Sequence, residues 1–153
     1  ITGLVYTNMD GSDKRKLTLI RKSKRPRAFP KDLSKLPVRY YSSANAWMTG
    51  GLFEKDLSEW NRELRLKNRK IVCLVDNCSA HPDKLKNTFS NIRLEFLPPN
   101  TTSLIQPCDM GIIKNLKGFY RSKLHCRIIT ELDSNPDKHV KDVIKTVTIL
   151  DTS

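Results

Sequence analysis

The sequence predicts an α/β fold, and three segments carry that prediction. Ile71-Val72-Cys73-Leu74-Val75 is an unbroken apolar run between Lys70 and Asp76. A strand buried on both faces, at the parallel centre of a sheet, reads this way. Ile92-Arg93-Leu94-Glu95-Phe96 alternates apolar and charged residues, as a strand nearer the sheet edge does. Phe53, Leu57, Trp60 and Leu64 recur at i, i+4, i+7 and i+11, one face of an amphipathic helix packed on a core.

The remaining elements follow in chain order. Leu4-Val5-Tyr6-Thr7-Asn8 reads as a strand, Asp10-Gly11-Ser12 as a turn and Leu17-Thr18-Leu19-Ile20 as the returning strand of a hairpin. Arg21-Lys22-Ser23-Lys24-Arg25-Pro26-Arg27 is a basic run broken by proline. It fits phosphate contacts through Arg25 and Arg27, a nuclear localisation signal or a solvated loop equally well. Thr49 is the expected N-cap of the amphipathic helix, its hydroxyl accepting from a first-turn amide. Gly50 and Gly51 then weaken that turn by roughly 1 kcal/mol each relative to alanine. A short helical piece is expected over 83–89, and two prolines and an asparagine make 97–102 a loop. From Asp109 a helix should run to about Leu132, with Ile113, Leu116, Tyr120 and Leu124 as its apolar stripe and Lys114, Lys117 and Arg121 on another face. Ser134-Asn135-Pro136 breaks it, and a last helix is expected over 137–149 around Val140, Val143, Ile144 and Val147. The chain thus divides into a main unit, 1–132, and a C-terminal helical extension, 133–153.

Composition narrows the partners. The 153 residues suit one domain with its own core. With 38% apolar and 29% charged residues, the chain is globular rather than disordered. Lys and Arg outnumber Asp and Glu, 28 to 16, a net charge of +12. Nucleic acid is the natural partner for such a surface, and a membrane is not. No window approaches the ~18 apolar residues of a membrane helix. Ile1-Thr2-Gly3-Leu4-Val5 has no initiator methionine and no signal-peptide pattern, and reads as the interior of a longer chain. Cys73, Cys78, Cys108 and Cys126 show no C-x-x-C spacing, so reduced thiols are expected rather than a zinc site.

Two aspartates are the candidate chemistry. Asp76 closes the 71–75 run, where open α/β sheets bind ligands at strand ends. Asp109 sits in Gln106-Pro107-Cys108-Asp109-Met110-Gly111, ahead of a helix whose dipole favours an ionised carboxylate. Brought together, they make a hard-oxygen site suited to magnesium and to phosphodiester chemistry. Kept apart, they are a strand-end and an N-cap carboxylate with structural duties. Asn77 and His81 stand close enough in sequence to support the site, His81 by touching the metal shell or a phosphate, or by orienting the loop.

Two long blocks sharpen the choice. Leu74 to Pro82 and Phe96 to Gly111 closely resemble the DDE-type transposase (DDE superfamily endonuclease) domain of the pogo and Tigger group, which jerky-like proteins and centromere protein B share. Asn8-Met9-Asp10-Gly11-Ser12, Lys22-Ser23-Lys24-Arg25-Pro26-Arg27 and Ala46-Trp47-Met48-Thr49 match in order, and the likeness extends to about Lys123. Gly50-Gly51 departs from the better helix formers usual there. The resemblance implies a ribonuclease-H-like mixed sheet flanked by helices, N-terminally truncated in this chain. It also implies an aspartate triad holding Mg2+, or Mn2+, with Asp76 as second carboxylate and Asp109 as third, thirty-two residues apart. The first carboxylate would lie on a strand upstream of Leu4, placed between the hairpin and the strand of Asp76, so those two should lack a shared partner. Ancestrally such a domain is a magnesium-dependent DNA endonuclease and strand transferase; its alternative fate is a domesticated nuclear protein that binds DNA or chromatin without cleaving. DNA is the implied partner, through Lys114, Lys117 and Arg121 among others, the nucleus the implied location, and a homodimer the implied state of the longer protein. Cleavage by these residues alone is not expected.

Overall fold

The computed structural model describes residues 1–26, 29–98, 106 and 108–146, with the backbone alone at 109, 110, 145 and 146. The elements are β1 (Thr2–Leu4), β2 (Thr18–Arg21), β3 (Arg39–Ser42), α1 (Gly50–Leu66), β4 (Ile71–Val75), β5 (Ile92–Phe96), α2 (Ile113–Ser134) and α3 (Val140–Thr146). Single 3-10 turns lie at Leu33–Lys35 and Asp83–Leu85, and a π-helical turn, Cys108–Ile112, leads into α2. The α/β class holds, with one small mixed sheet, one small parallel sheet and three helices among the described residues.

The strands form two separate sheets. In the first, β1 runs antiparallel to β2 (Thr2 opposite Ile20) and β2 parallel to β3 (Thr18 opposite Arg39). In the second, β4 and β5 are parallel, with Ile71 opposite Ile92 and Val75 opposite Phe96. Among the described residues no strand joins β1 to β4. The hairpin forms, but β1 stops at Leu4 instead of reaching Asn8, and pairing resumes only at a Thr7–Lys14 bridge. Its turn is built from side chains: the Asp10 carboxylate accepts from the Ser12 amide at 2.9 Å and hydroxyl at 2.7 Å, while Gly11 takes φ 72°. That left-handed backbone suits glycine, which has no Cβ to clash.

Helix α1 joins the two sheets. Thr49 caps it as expected, its Oγ1 accepting from the Leu52 amide at 3.3 Å. Phe53, Leu57 and Leu64 are buried and pack with Cys73, Val75, Ile92, Leu94 and Leu85, with Trp60 half-buried beside them. On the side toward the first sheet α1 places Asp56, fully buried, 3.2 Å from Nη1 of Arg15 and 3.2 Å from Nε of Arg39. Thr18 on β2 and Tyr41 on β3 donate to the same carboxylate, each at 3.4 Å. Arg15 also lies over the Trp60 ring, 4.5 Å from its centroid. Burial pulls its guanidinium below the ordinary value, and the charge of Asp56 works against that fall. One helix therefore meets β4 and β5 with apolar groups, and β2 and β3 with a charged layer.

Several expectations need correction. The 71–75 run was expected to be buried on both faces, yet Val72 is 60% and Leu74 59% exposed. Alternation along a strand sends Cys73 and Val75 to α1 and their neighbours to the opposite face, which no described element covers. The 83–89 piece shrinks to the Asp83–Leu85 turn. Helix α2 begins four residues later than expected, after the π-helical turn, and buries none of its residues; Leu116 and Tyr120 of the expected stripe are 39% and 41% exposed. The last helix covers Val140–Thr146, with Val143 buried, and the part of 137–149 beyond 146 lies outside the described residues, as do 99–102 of the expected 97–102 loop. No helix among the described residues is long and apolar enough to cross a membrane.

Candidate metal site at the end of β4

The chain leaves β4 through a tight turn. The Cys78 amide donates to the Asp76 carbonyl at 3.1 Å, and the His81 amide to the Cys78 carbonyl at 2.9 Å. These bonds fold Asp76, Cys78 and His81 onto one another. Nδ1 of His81 stands 2.7 Å from Oδ1 of Asp76, 3.1 Å from its carbonyl oxygen and 3.4 Å from Sγ of Cys78. The ring is seated on Phe53, centroids 4.2 Å apart. Because Phe53 is fully buried in the core, it fixes the plane in which His81 meets the carboxylate.

The turn lies close against the start of α1. A Cβ at Gly50 would fall 2.8 Å from Cγ of Pro82, whereas one at Gly51 would meet nothing within 4 Å. Gly50 is therefore required by the approach of the 76–82 turn, a reason that helix propensity does not reveal. Gly51 has no such reason.

Of the sequence-predicted site residues, the structure brings together Asp76 and His81. Asn77 is exposed beside them. Asp109 lies on the π-helical turn ahead of α2, and its side chain is outside the described residues. Lys114, Lys117 and Arg121 are exposed on α2 at a spacing that keeps them on one face. Arg25 is exposed and donates to the Lys31 carbonyl at 2.9 Å, and Arg27 lies outside the described residues. A carboxylate at a strand end, 29% exposed and steadied by a neighbouring imidazole, fits a magnesium ligand, since that ion binds through one or two carboxylates and keeps several waters.

Two features escaped sequence reasoning. Cys78 joins Asp76 and His81 in a cluster whose donor atoms all lie within 4.8 Å of one another. The signal is Asp-x-Cys-x-x-His across a turn, a spacing that does not depend on a second cysteine. Cys73 is different: burial pushes its thiol up to about 12, so it stays protonated. The second feature is a cleft of about 560 Å³ beside the hairpin and the C-terminal end of α1, where Lys14, Lys16, Lys67 and Arg69 converge.

Comparison with known proteins places the chain in a family. The family model described as DDE superfamily endonuclease matches residues 1–152. Tigger transposable element-derived protein 4 of Mus musculus is 36% identical over 137 residues, which is 90% of this chain and 26% of that protein. The Jerky protein homolog of Homo sapiens is 35% identical over 121 residues, 73% of this chain and 22% of that protein. CENP-B homolog protein 2 of Schizosaccharomyces pombe is 31% identical over 160 residues, 96% and 30% respectively. The chain thus spans less than a third of the length of these relatives. No solved structure matches it.

Proposed function

The chain belongs to the DDE superfamily endonuclease family, and from that membership we propose that it supplies two of three magnesium-binding carboxylates, Asp76 and Asp109, to a transposase-derived DNA-binding protein. The observation that carries this reading is Asp76 itself, at the carboxyl end of a parallel strand with its carboxylate steadied by His81 at 2.7 Å. Magnesium, or manganese, bound there would activate a water or 3′-hydroxyl and stabilise the leaving oxygen of an in-line displacement at a DNA phosphate.

The chain's own residues do the holding. Asp76 offers a carboxylate oxygen, and His81 sets its rotamer through Nδ1, itself backed by Phe53. Asp109, on the turn that enters α2, is the other carboxylate of this reading. The first carboxylate belongs to a strand outside these residues. In the ribonuclease-H-like order that strand lies between β1 and β4, and the separation of the two sheets at those strands supports the placement. Lys114, Lys117 and Arg121 contact phosphates along α2, adding to the attraction of a +12 chain for DNA. The unit spans 1–132, the protein works in the nucleus, and the longer chain is a homodimer.

A second reading keeps DNA or chromatin binding and drops cleavage. It is favoured by the likeness to a relative whose name carries a binding role, ARS-binding protein 1 of Schizosaccharomyces pombe, 30% identical over 149 residues. Supercoiled DNA separates the two: full-length protein with magnesium or manganese should nick it, and Asp76→Ala and Asp109→Ala should not. Binding without nicking in the wild type establishes the second reading. Equal nicking by both variants removes the carboxylates from the mechanism.

A further inference from the structure

Magnesium takes oxygen ligands, so in the reading above the His81 nitrogen only steadies the carboxylate and the Cys78 sulfur has no place at all. We infer that Asp76, Cys78 and His81 form a second, alternative metal site, selective for a borderline transition metal such as zinc, with one position left open to water. Carboxylate oxygen, thiolate sulfur and imidazole nitrogen are all zinc ligands, and three protein donors with an open fourth position is a common zinc arrangement.

The spacing supports this. Zinc–sulfur and zinc–nitrogen bonds of about 2.3 and 2.05 Å, at a tetrahedral angle, put the two donors about 3.5 Å apart. Sγ of Cys78 and Nδ1 of His81 stand at 3.4 Å. Oδ1 of Asp76 and Nδ1 are closer, 2.7 Å, because a hydrogen bond joins them; an ion would replace that proton and open the pair by about 0.6 Å. On binding, the Cys78 thiol proton leaves to solvent; the Nδ1 proton of His81 is given up as well, and the ring takes a proton on Nε2 from solvent, so that one proton is released in all.

The turn is also prepared for the ion. Its three donors fall within six residues, folded by the two backbone hydrogen bonds of the turn, so little chain has to be ordered. Phe53 holds the imidazole plane, and the contact of Pro82 with Gly50 holds the turn on α1. All three residues are partly exposed, which gives the ion a way in. Zinc binding needs neither Asp109 nor a third carboxylate. One consequence does rest on the magnesium reading: zinc on Asp76 would occupy the oxygen that magnesium requires, and would silence cleavage.

Cobalt(II) is the probe, because its bond to thiolate gives a near-ultraviolet charge-transfer band. Titrated into the protein, it should give that band with one cobalt per chain, and zinc should displace it. Cys78→Ser should abolish the band while Cys126→Ser, an exposed control, retains it. In chelator competition, His81→Gln and Asp76→Asn should weaken zinc by more than the roughly 10–100-fold typical of losing an outer-shell partner. Alkylation provides a test without mutation: zinc should slow modification of Cys78 and leave Cys126 unchanged. Absence of the band in the wild type, its persistence in Cys78→Ser, or equal alkylation with and without zinc would each overturn the inference. A band without any nicking activity would retain the zinc site and reject the magnesium reading.

Discussion

Gly50 and Gly51 open α1 side by side, yet replacing each by alanine should move stability in opposite directions. Alanine exceeds glycine by about 0.5–1 kcal/mol in a helix, largely through the freedom glycine retains when unfolded. At Gly51 no atom lies within 4 Å of the new Cβ, so Gly51→Ala should realise that gain. At Gly50 the Cβ would stand 2.8 Å from Cγ and 3.5 Å from Cδ of Pro82. Carbon atoms are comfortable at about 3.5–4.0 Å, so the proline must retreat by at least about 0.7 Å, and its ring has no rotamer to swing away. Overpacking of this kind costs about 1–3 kcal/mol, which offsets or outweighs the propensity gain and leaves a net loss of up to about 2.5 kcal/mol. Urea midpoints and thermal unfolding followed by far-UV circular dichroism measure both variants; at this size 1 kcal/mol moves the Tm by roughly 2–4 °C. Gly51→Ala should melt higher than wild type and Gly50→Ala lower. Gly50→Ala should also weaken cobalt binding, because Pro82 carries His81 with it. Equal stabilisation by both would show that the turn yields freely and that α1 does not hold it.

Asp56→Ala should cost about 3–5 kcal/mol in urea unfolding, because it leaves Arg15 and Arg39 without their buried counter-charge. Glu63→Ala, whose carboxylate is 49% exposed, should cost less than about 1 kcal/mol. Cys73 predicts a pH dependence: burial raises its thiol from 9.0 to about 12, so above pH 9 the unfolded chain loses a proton that the folded chain keeps. Its contribution should be level below pH 9 and fall as pH rises through about 12, by at most about 4 kcal/mol; Cys73→Ala should flatten that slope, and an unchanged slope would place its origin elsewhere. Triple alanine replacement of Lys114, Lys117 and Arg121 should reduce the slope of log K against log salt by about 0.9 per lost contact on duplex DNA, and an unaltered slope would return that face of α2 to solvent.

Local periodicity explains what was legible in the sequence. The α1 stripe, its Thr49 cap and the alternation of 92–96 depend on neighbours a few residues away, and each appears where expected. The exposed face of β4 was not legible, because Val72 and Leu74 have the same apolar character as Cys73 and Val75. Which face is covered depends on distant elements. Strand β3 was missed for a related reason. Arg39-Tyr40-Tyr41-Ser42 reads as a polar stretch, and its pairing is understood only beside β2 and with Arg39 held by Asp56 and Glu59 of α1. At the site, Asp76 was legible as the carboxylate that closes an apolar strand, whereas the meeting of Cys78 with His81 needed the turn geometry.

The position of Phe53 ties stability and chemistry together. Its ring is fully buried against the β4–β5 core, and its outer side carries the His81 imidazole that steadies Asp76. A core substitution there cannot be silent at the site. Phe53→Leu keeps the position apolar and should cost only about 1–3 kcal/mol if the core repacks, yet it removes the flat surface against which the imidazole rests. Phe53→Leu should therefore weaken metal binding at Asp76 by more than its modest stability loss accounts for. Leu57→Val, in the same core but away from the ring contact, should lower stability and leave the metal affinity unchanged. Parallel loss of affinity in both variants would mean that the site follows general core integrity, and that Phe53 has no particular part in aiming His81.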